Sequence, residues 1–211
     1  NPEGVSERAK ATLAKAEDLP EFAPLFTDPE EPSKGRFYNC PAGWQCEVVN
    51  SKKLIAYGLE ESYTNFRPGT GAALQAAVES AYLRKKPILF YYWAPTALMG
   101  KYEFVQLQEP TFNRELWDQM MEAEVPNAAT AYPVSMVIIG ANKAFSESAP
   151  NLTAFLKAYS TTSALTSKAL ADMEANGGSA DTAAQTFLKG NEDVWTKWVP
   201  ASVAEKVKAA L

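Results

Sequence analysis

The residues best suited to chemistry lie in one short loop around the two cysteines. Cys40 and Cys46 are separated by a stretch that includes Pro41 and Gly43 and that also carries Trp44. The spacing is too long for a C-x-x-C redox motif, and no neighbouring side chains complete a zinc site. A loop of this length brings its ends within bridging distance, so we favour a disulfide over two free thiols. A disulfide indicates an oxidising compartment and would fix an aromatic ring beside backbone amides.

A second aromatic group ends the apolar run at residues 88–93. It consists of Tyr91, Tyr92 and Trp93, followed by an alanine-proline pair. Open α/β folds bind ligands at the carboxyl ends of parallel strands, and tryptophan faces attract quaternary ammonium groups by cation–π interaction. Trp44 and Trp93 are therefore candidate ligand-binding residues, with burial of each ring in the core as the alternative. The other tryptophans fall on predicted helices and are expected to pack: Trp117, Trp195 and Trp198.

The sequence offers little for an enzyme mechanism. It contains no histidine, which excludes Ser-His-Asp and Cys-His arrangements and every histidine-ligated metal site. It has neither a G-x-S-x-G motif nor a phosphate-binding P-loop. The carboxylate pairs at residues 30–31 and 60–61 lie in polar stretches, where solvated surfaces are typical. The acidic segment 28–36 lacks the ligand spacing of an EF-hand, so it predicts no calcium site.

Composition and charge restrict the classes of partner. The 211-residue chain is 46% hydrophobic, with a net charge of -5 and a pI near 5.0. It therefore lacks the basic face of a nucleic-acid-binding protein and any electrostatic attraction for an anionic membrane. No apolar run approaches the roughly 20 residues of a spanning helix. Because Asn1 is preceded by neither a methionine nor a leader, we expect a removed signal peptide or a piece of a longer chain.

The elements that must position these residues indicate an α/β fold. Residues 72–84 have helical apolar spacing after a candidate N-cap at Thr70, and the run at 88–93 predicts a central parallel strand buried on both faces. A helix followed by a buried strand is half of a βαβ unit. Three further elements are expected: a strand at 104–107, a helix at 115–124 and a buried strand at 133–139.

The remaining segments are mainly helical in pattern. We expect an amphipathic helix at Val5–Ala16 and a helical turn at Phe22–Phe26, whereas residues 28–36 form a polar surface loop. Residues 47–57 mix strand and helix signals, and their state stays open. The last part of the chain is predicted to be almost entirely helical. Its helical stretches are expected at 150–160, 162–175, 179–198 and 203–211.

Several motifs together resemble the periplasmic glycine-betaine-binding proteins of ABC importers. The motifs occur in the family's order and extend over most of the chain. They are Cys40-Pro41-Ala42-Gly43-Trp44-Gln45-Cys46-Glu47, Ala56-Tyr57, Gly69-Thr70-Gly71-Ala72-Ala73-Leu74, Lys86-Pro87, Tyr91-Tyr92-Trp93-Ala94-Pro95 and Tyr132-Pro133-Val134-Ser135. The most specific feature is the combination of a tryptophan in the cysteine loop with a later Y-Y-W-x-P.

The resemblance implies an α/β fold of the periplasmic-binding-protein type, whose two lobes close like a clamp on the ligand. Residues 1–131 would form one complete lobe, and residues 132–211 the C-terminal part of the other. Trp44 and Trp93 would be two walls of an aromatic box around a trimethylammonium group. The backbone amides of Gln45 and Cys46 would hold a carboxylate, although Gln45 stands where the family often has glycine. The resemblance implies neither a cofactor nor a metal.

On this interpretation the chain is the substrate-binding component of an importer for glycine betaine, or alternatively for choline, carnitine or trimethylamine oxide. It would meet the permease in the periplasm, or be lipid-anchored outside the cytoplasm. Family members carry a further stretch before the position of Asn1, with opening strands of one lobe and another box tryptophan. Without that stretch, exposed apolar surface would favour self-association. The competing classes are an extracytoplasmic enzyme using carboxylates and a structural or adhesive surface module.

Overall fold

The computed structural model describes residues 13–211, and the chain divides into two compact units. The first unit comprises Asn1–Tyr92 and Tyr102–Val134, and the second comprises Trp93–Lys101 and Ser135–Leu211. The chain therefore passes between the units at residues 92–93, 101–102 and 134–135. Most of the helix predicted at residues 5–16 lies outside the described residues. The division into lobes at residue 131 stays a prediction.

The first unit is built around a three-stranded parallel sheet. It opens with 3-10 turns at Ala16–Asp18 and Ala23–Phe26 around the short helix α1 (Leu19–Phe22), which confirms the helical turn predicted there. The elements that follow in the chain are β1 (Gly35–Tyr38), α2 (Gln45–Ala56), β2 (Tyr63–Phe66), α3 (Gly71–Leu83), β3 (Leu89–Phe90), α4 (Ala97–Lys101, which belongs to the second unit) and α5 (Arg114–Glu122).

The strand order is β2-β1-β3, with Gly35 opposite Tyr63 and Phe37 opposite Leu89. β3 thus lies at an edge of the described sheet and is half-buried, so the prediction of a central strand buried on both faces is wrong. The apolar run instead supplies ring packing: the Phe90 ring centroid lies 5.0 Å from that of Phe104. Such packing needs aromatic side chains but no second neighbouring strand.

Local capping fixes the two helices that the sequence predicts in this unit. Thr70 accepts a hydrogen bond from the N–H of Ala73 (3.1 Å) at the start of α3, as predicted, and this satisfies one of the N–H groups that a helix leaves unpaired. Leu74 and Val78 of α3 are fully buried. Asn113 caps α5 in the same way. The segment whose state the sequence leaves open, residues 47–57, is helical as far as Ala56, where α2 ends.

The acidic loop is not wholly solvated, because its two ends form a buried ion pair. Asp28 and Arg36 are buried, and the Nη2 and Nε atoms of Arg36 donate to the Asp28 carboxylate at 2.7 and 3.0 Å. The guanidinium also stands 4.2 Å from the ring centroid of Phe66. The hydrogen bonds from Arg36 hold the pKa of the Asp28 carboxyl well below its usual range. The sequence pattern shows the charges but not their pairing.

Two predicted strands are wrong within the described residues. At 104–107 the chain is irregular, and only the neighbouring Gln108 forms a single parallel bridge with Lys15. Residues 133–139 also form no strand, and Val134 and Val137 expose 88% and 91% of their surface. A strand needs a neighbouring edge for its backbone N–H and C=O groups. No such pairing involves residues 133–139 in the described part of the chain.

The described part of the second unit consists of helices, as predicted for the end of the chain. Besides α4, these are α6 (Lys143–Ser148), α7 (Pro150–Ala158), α8 (Ser163–Ala175), α9 (Ala180–Gly190), α10 (Glu192–Trp195), a 3-10 turn (Thr196–Trp198) and α11 (Ala201–Ala210). α4 packs closely on α8, where Gly100 faces the backbone of Ser167. Among residues 13–211, every helix falls short of the length and apolarity that a membrane span requires.

Candidate functional site

The loop that follows β1 is closed by a disulfide. The Sγ atoms of Cys40 and Cys46 are 2.06 Å apart and their Cα atoms 6.0 Å apart, which confirms the predicted pairing. Gly43 has φ of +86°, a left-handed conformation that glycine adopts without strain. The N–H of Trp44 donates to the carbonyl of Pro41 at 3.3 Å. The loop therefore turns sharply and places Trp44 directly before the first turn of α2.

Trp44 is the N-cap residue of α2, and 41% of its surface is exposed. Its indole lies against Gly71, the first residue of α3. A Cβ atom on Gly71 would stand 3.0 Å from the Cη2 atom of the ring. The indole thus packs closely on a glycine while a large part of it meets solvent. This exposure excludes the core-packing alternative for Trp44.

The first turn of α2 has no side-chain cap. Trp44 has the extended backbone of an N-cap residue but accepts no hydrogen bond from the turn, whereas Thr70 and Asn113 cap α3 and α5. The first N–H groups of a helix lack acceptors within the helix, and the helix dipole favours an anion at this end. The backbone amides of Gln45 and Cys46 lie there. The structure therefore brings the loop tryptophan and both predicted amides together in the first unit.

Trp93 lies in the second unit, and 38% of its surface is exposed. It does not end a strand as expected, because β3 stops at Phe90. Thr96 holds the segment that follows: its Oγ1 donates to the carbonyl of Trp93 (3.3 Å), and its N–H donates to the hydroxyl of Ser167 on α8 (3.2 Å). The four candidate residues therefore divide between the units, with Trp93 alone in the second.

The other three tryptophans pack as predicted. Trp195 is only 2% exposed. The ring centroid of Trp117 lies 5.4 Å from that of Tyr132, and the ring centroid of Trp198 lies 4.6 Å from that of Tyr159. Trp117 and Trp198 thus contact neighbouring aromatic side chains, and Trp44 and Trp93 are the two tryptophans with the most exposed surface.

A buried amide behind the loop is a feature that sequence reasoning misses. Asn39 follows β1 and is fully buried. Its Oδ1 accepts from the N–H of Cys40 (2.6 Å) and from Nδ2 of Asn50 (2.8 Å). Its own Nδ2 donates to the carbonyl of Glu47 (3.1 Å) and to Oδ1 of Asn65 (3.0 Å). One side chain thus contacts the chain on both sides of the disulfide loop.

The network continues from Asn50 to Tyr132. The hydroxyl of Tyr132 donates to Oδ1 of Asn50 at 2.7 Å and lies 3.5 Å from the carbonyl of Cys46. Burial raises the pKa of Tyr132, so its hydroxyl keeps its proton. Lys53 stands 4.3 Å from the centroid of the same ring and forms a 2.6 Å ion pair with Glu109. Burial lowers the pKa of Lys53, an effect that the Glu109 carboxylate opposes.

The carboxylate pair at residues 30–31 offers no comparable site. Glu30 pairs with Arg36 at 3.2 Å, and Glu31 pairs with Lys34 at 3.4 Å. These carboxylates therefore face cations rather than one another, as an acid-base pair would require. In the described part of the chain, no group of three or more histidine, cysteine, aspartate or glutamate side chains is placed to hold a metal ion.

The parallel sheet and the helical second unit are elements of an α/β fold of the periplasmic-binding-protein type. A solved structure of this class is the glycine betaine, L-proline ABC transporter binding protein (ProX) from Borrelia burgdorferi. It aligns with a TM-score of 0.52 and 15% identity, over 93% of this chain and 65% of that chain. This likeness confirms the predicted fold class.

The chain belongs to the family of substrate-binding domains of ABC-type glycine betaine transport systems, whose sequence profile matches residues 3–190. The glycine betaine/proline betaine-binding periplasmic protein of Escherichia coli K12 is 34% identical over 143 residues, which are 65% of this chain and 42% of that protein. The Salmonella typhimurium LT2 protein of the same description is 27% identical over 190 residues, or 87% of this chain and 54% of the relative. The chain spans about half the length of these relatives. The family consists of binding proteins rather than enzymes.

Proposed function

We propose that this chain is the ligand-recognition part of the substrate-binding protein of an ABC importer and that it binds glycine betaine or a related quaternary amine. The observation that carries the proposal is the half-exposed indole of Trp44 directly before the uncapped first turn of α2. Glycine betaine joins a trimethylammonium group to a carboxylate over a short distance. The arrangement offers a suitable partner to each end of such a zwitterion.

Each end of the ligand suits its partner for a separate reason. A trimethylammonium group carries a permanent charge but no hydrogen-bond donor, so an aromatic face is its natural receptor. A carboxylate accepts hydrogen bonds from N–H groups and is favoured at a helix N-terminus. In the proposal, Trp44 provides one wall of an aromatic box, and the amides of Gln45 and Cys46 hold the carboxylate. Trp93 is proposed as a second wall of the box, as the family resemblance implies.

Three other ligands share the cationic end: choline, carnitine and trimethylamine oxide. Choline carries a hydroxyl in place of a carboxylate, so it would use the aromatic faces without the amides of α2. The names of the relatives from Escherichia coli and Salmonella typhimurium favour a betaine. The uncapped amides favour the same choice, because they offer donors that choline leaves unused.

The proposed partner is the permease of the importer, and the proposed location is outside the cytoplasm. Both relatives described above are named as periplasmic proteins. The disulfide between Cys40 and Cys46 agrees with an oxidising compartment, because such bonds persist mainly outside the reducing cytosol.

Isothermal titration calorimetry of the folded chain tests the function directly. The titrants are glycine betaine, proline betaine, choline and, as a control without methyl groups, glycine. We expect binding of the methylated ligands and no binding of glycine. Folded protein that gives no heat with any methylated ligand would reject the proposal, and a protein partner captured instead would favour an adhesive module.

Leucine substitutions test the aromatic box. Trp44→Leu and Trp93→Leu keep apolar bulk but remove the π face, and each is expected to weaken binding about 2- to 30-fold, equivalent to about 0.5–2 kcal/mol. Trp198→Leu is the control, since that ring packs on Tyr159. Trp117 is less suitable because it contacts Tyr132 of the buried network. Thermal unfolding of every variant separates lost affinity from lost fold, and unchanged affinity in Trp44→Leu would exclude that ring from the box.

A further inference from the structure

The conformation of the disulfide loop depends on a buried side chain as well as on the cystine. Asn39 is fully buried and uses both ends of its amide. One end accepts from the N–H of Cys40 and the other donates to the carbonyl of Glu47, so a single residue spans the loop. Asn39 therefore fixes where α2 begins relative to the end of β1.

Asn50 is the link through which Asn39 can be disturbed. It is 4% exposed, and its Nδ2 donates to Asn39 at 2.8 Å while its Oδ1 accepts from the Tyr132 hydroxyl at 2.7 Å. Removal of that hydroxyl would leave the Asn50 oxygen buried without this donor, a state that proteins avoid. The amide would then turn toward another partner. Because the same amide contacts Asn39, the disturbance would pass to both sides of the loop.

The two ends of a bound zwitterion respond differently to such a shift. N–H···O bonds weaken steeply as the angle and distance depart from their preferred values. A cation over an aromatic ring is held by a contact that tolerates separations of up to about 6 Å. A small reorientation of the first turn of α2 would therefore weaken the carboxylate contact much more than the ammonium contact.

We propose that Tyr132, acting through Asn50 and Asn39, is the positioning residue that aims the first amides of α2 at the ligand's carboxylate and so gives the site its preference for betaines over choline. The inference rests on the proposed function. Tyr132 contacts no ligand in this scheme. It holds the turn that does, and it lies near residues 134–135, where the chain leaves the first unit.

The test compares Tyr132→Phe with the wild-type chain in titrations with glycine betaine and with choline. Tyr132→Phe keeps the ring and loses only the hydroxyl. We expect the dissociation constant for glycine betaine to rise about tenfold, while that for choline changes less than about twofold. Tyr63→Phe is the matched control. It removes another buried tyrosine hydroxyl of the same unit, one that donates to the carbonyl of Leu19 at 2.8 Å, outside the network of Tyr132, Asn50 and Asn39, and it should change neither constant.

A second variant removes the other partner of the hydrogen bond between Tyr132 and Asn50. Asn50→Ala should give the same ligand-selective loss, and the double variant should lose no more than Asn50→Ala alone, because both changes break one chain of contacts. Equal losses for both ligands would reveal a merely structural role and overturn the inference, as would no loss for either. Wild-type chain that binds choline but not glycine betaine would overturn it too. Wild-type chain that binds neither would instead refute the proposed function, and the inference with it.

Discussion

The contact between Gly71 and Trp44 makes a prediction in which affinity and stability change in opposite directions. Gly71 begins α3 and lies outside the left-handed region, so alanine fits its backbone conformation. Its new Cβ, however, would stand 3.0 Å from Cη2 of Trp44, whereas ordinary van der Waals contacts begin at 3.4 Å. The partly exposed indole can move more easily than the helix backbone. Gly71→Ala should therefore displace the ring by several tenths of an ångström.

The expected changes in affinity and in stability have separate origins: the contact of the Trp44 ring with the ligand, and the conformational freedom of glycine in the unfolded chain. A cation–π contact of about 0.5–2 kcal/mol that is partly lost corresponds to an affinity about 2- to 10-fold weaker. Glycine betaine and choline should lose affinity equally, because both present the same ammonium to Trp44. Replacement of glycine by alanine at a compatible position stabilises a protein by about 0.4–1 kcal/mol through the unfolded chain. For a chain of this size the melting temperature should rise by about 1–4 °C, less whatever the ring displacement costs.

Calorimetry and thermal unfolding of Gly71→Ala measure both effects, and Gly69→Ala provides the matched control. A Cβ on Gly69 would meet nothing within 4 Å, so that variant should bind as wild type does. With 5-fluorotryptophan in all five positions, the fluorine NMR spectrum of Gly71→Ala should show one displaced resonance, assigned through Trp44→Phe. If Gly71→Ala bound both ligands as Gly69→Ala does, the indole would not be a wall of the site. If affinity fell while the fluorine spectrum showed no displaced Trp44 resonance, the ring displacement would not be the cause.

Two further predictions concern stability. The ionised Asp28 carboxylate stabilises the fold above its ordinary pKa of about 4, and this contribution is lost as pH falls below that value, because the pKa is lower in the folded chain. Asp28→Asn, which breaks the buried pair with Arg36, should lower the free energy of unfolding by about 3–5 kcal/mol at pH 7. The free energy of unfolding, measured in urea, should then decrease less than in wild type as the pH is lowered. An equally steep decrease in the variant would contradict this. Gly100→Ala would drive a methyl group into the Ser167 backbone and should cost about 1–3 kcal/mol in thermal unfolding. Gly190→Ala, with open space around it, should stabilise the protein by up to about 1 kcal/mol, and equal effects of the two substitutions would refute the packing argument.

The features that sequence predicted well are those fixed by neighbours in the chain. The disulfide joins residues only six positions apart, so loop length alone makes bridging feasible. Thr70 caps a turn three residues away, and the apolar spacing of α3 follows from helical geometry.

The network behind the loop depends instead on residues that are distant in sequence. Tyr132 and Asn50 are 82 positions apart, and Asn39 and Asn65 are 26 apart. The sequence around Asn39 does not indicate whether its side chain is buried or forms part of an exposed turn, because asparagine is common at the end of a strand in either role. Only the fold reveals that these amides share partners. The sequence signal that existed was indirect: Tyr132 falls within one of the motifs that carry the family resemblance.

The segment at residues 133–139 shows the limit of hydrophobic pattern as evidence. An apolar run indicates that a segment can be buried. A strand also needs a neighbouring strand whose backbone forms hydrogen bonds with its own. Within the described residues no strand pairs with this segment, and Val137 and Ile138 expose 91% and 82% of their surface. Self-association through such a surface stays a prediction. The same reasoning explains why β3 is short. It pairs with β1 at only two positions, and the aromatic residues that follow it pack against other rings without joining the sheet.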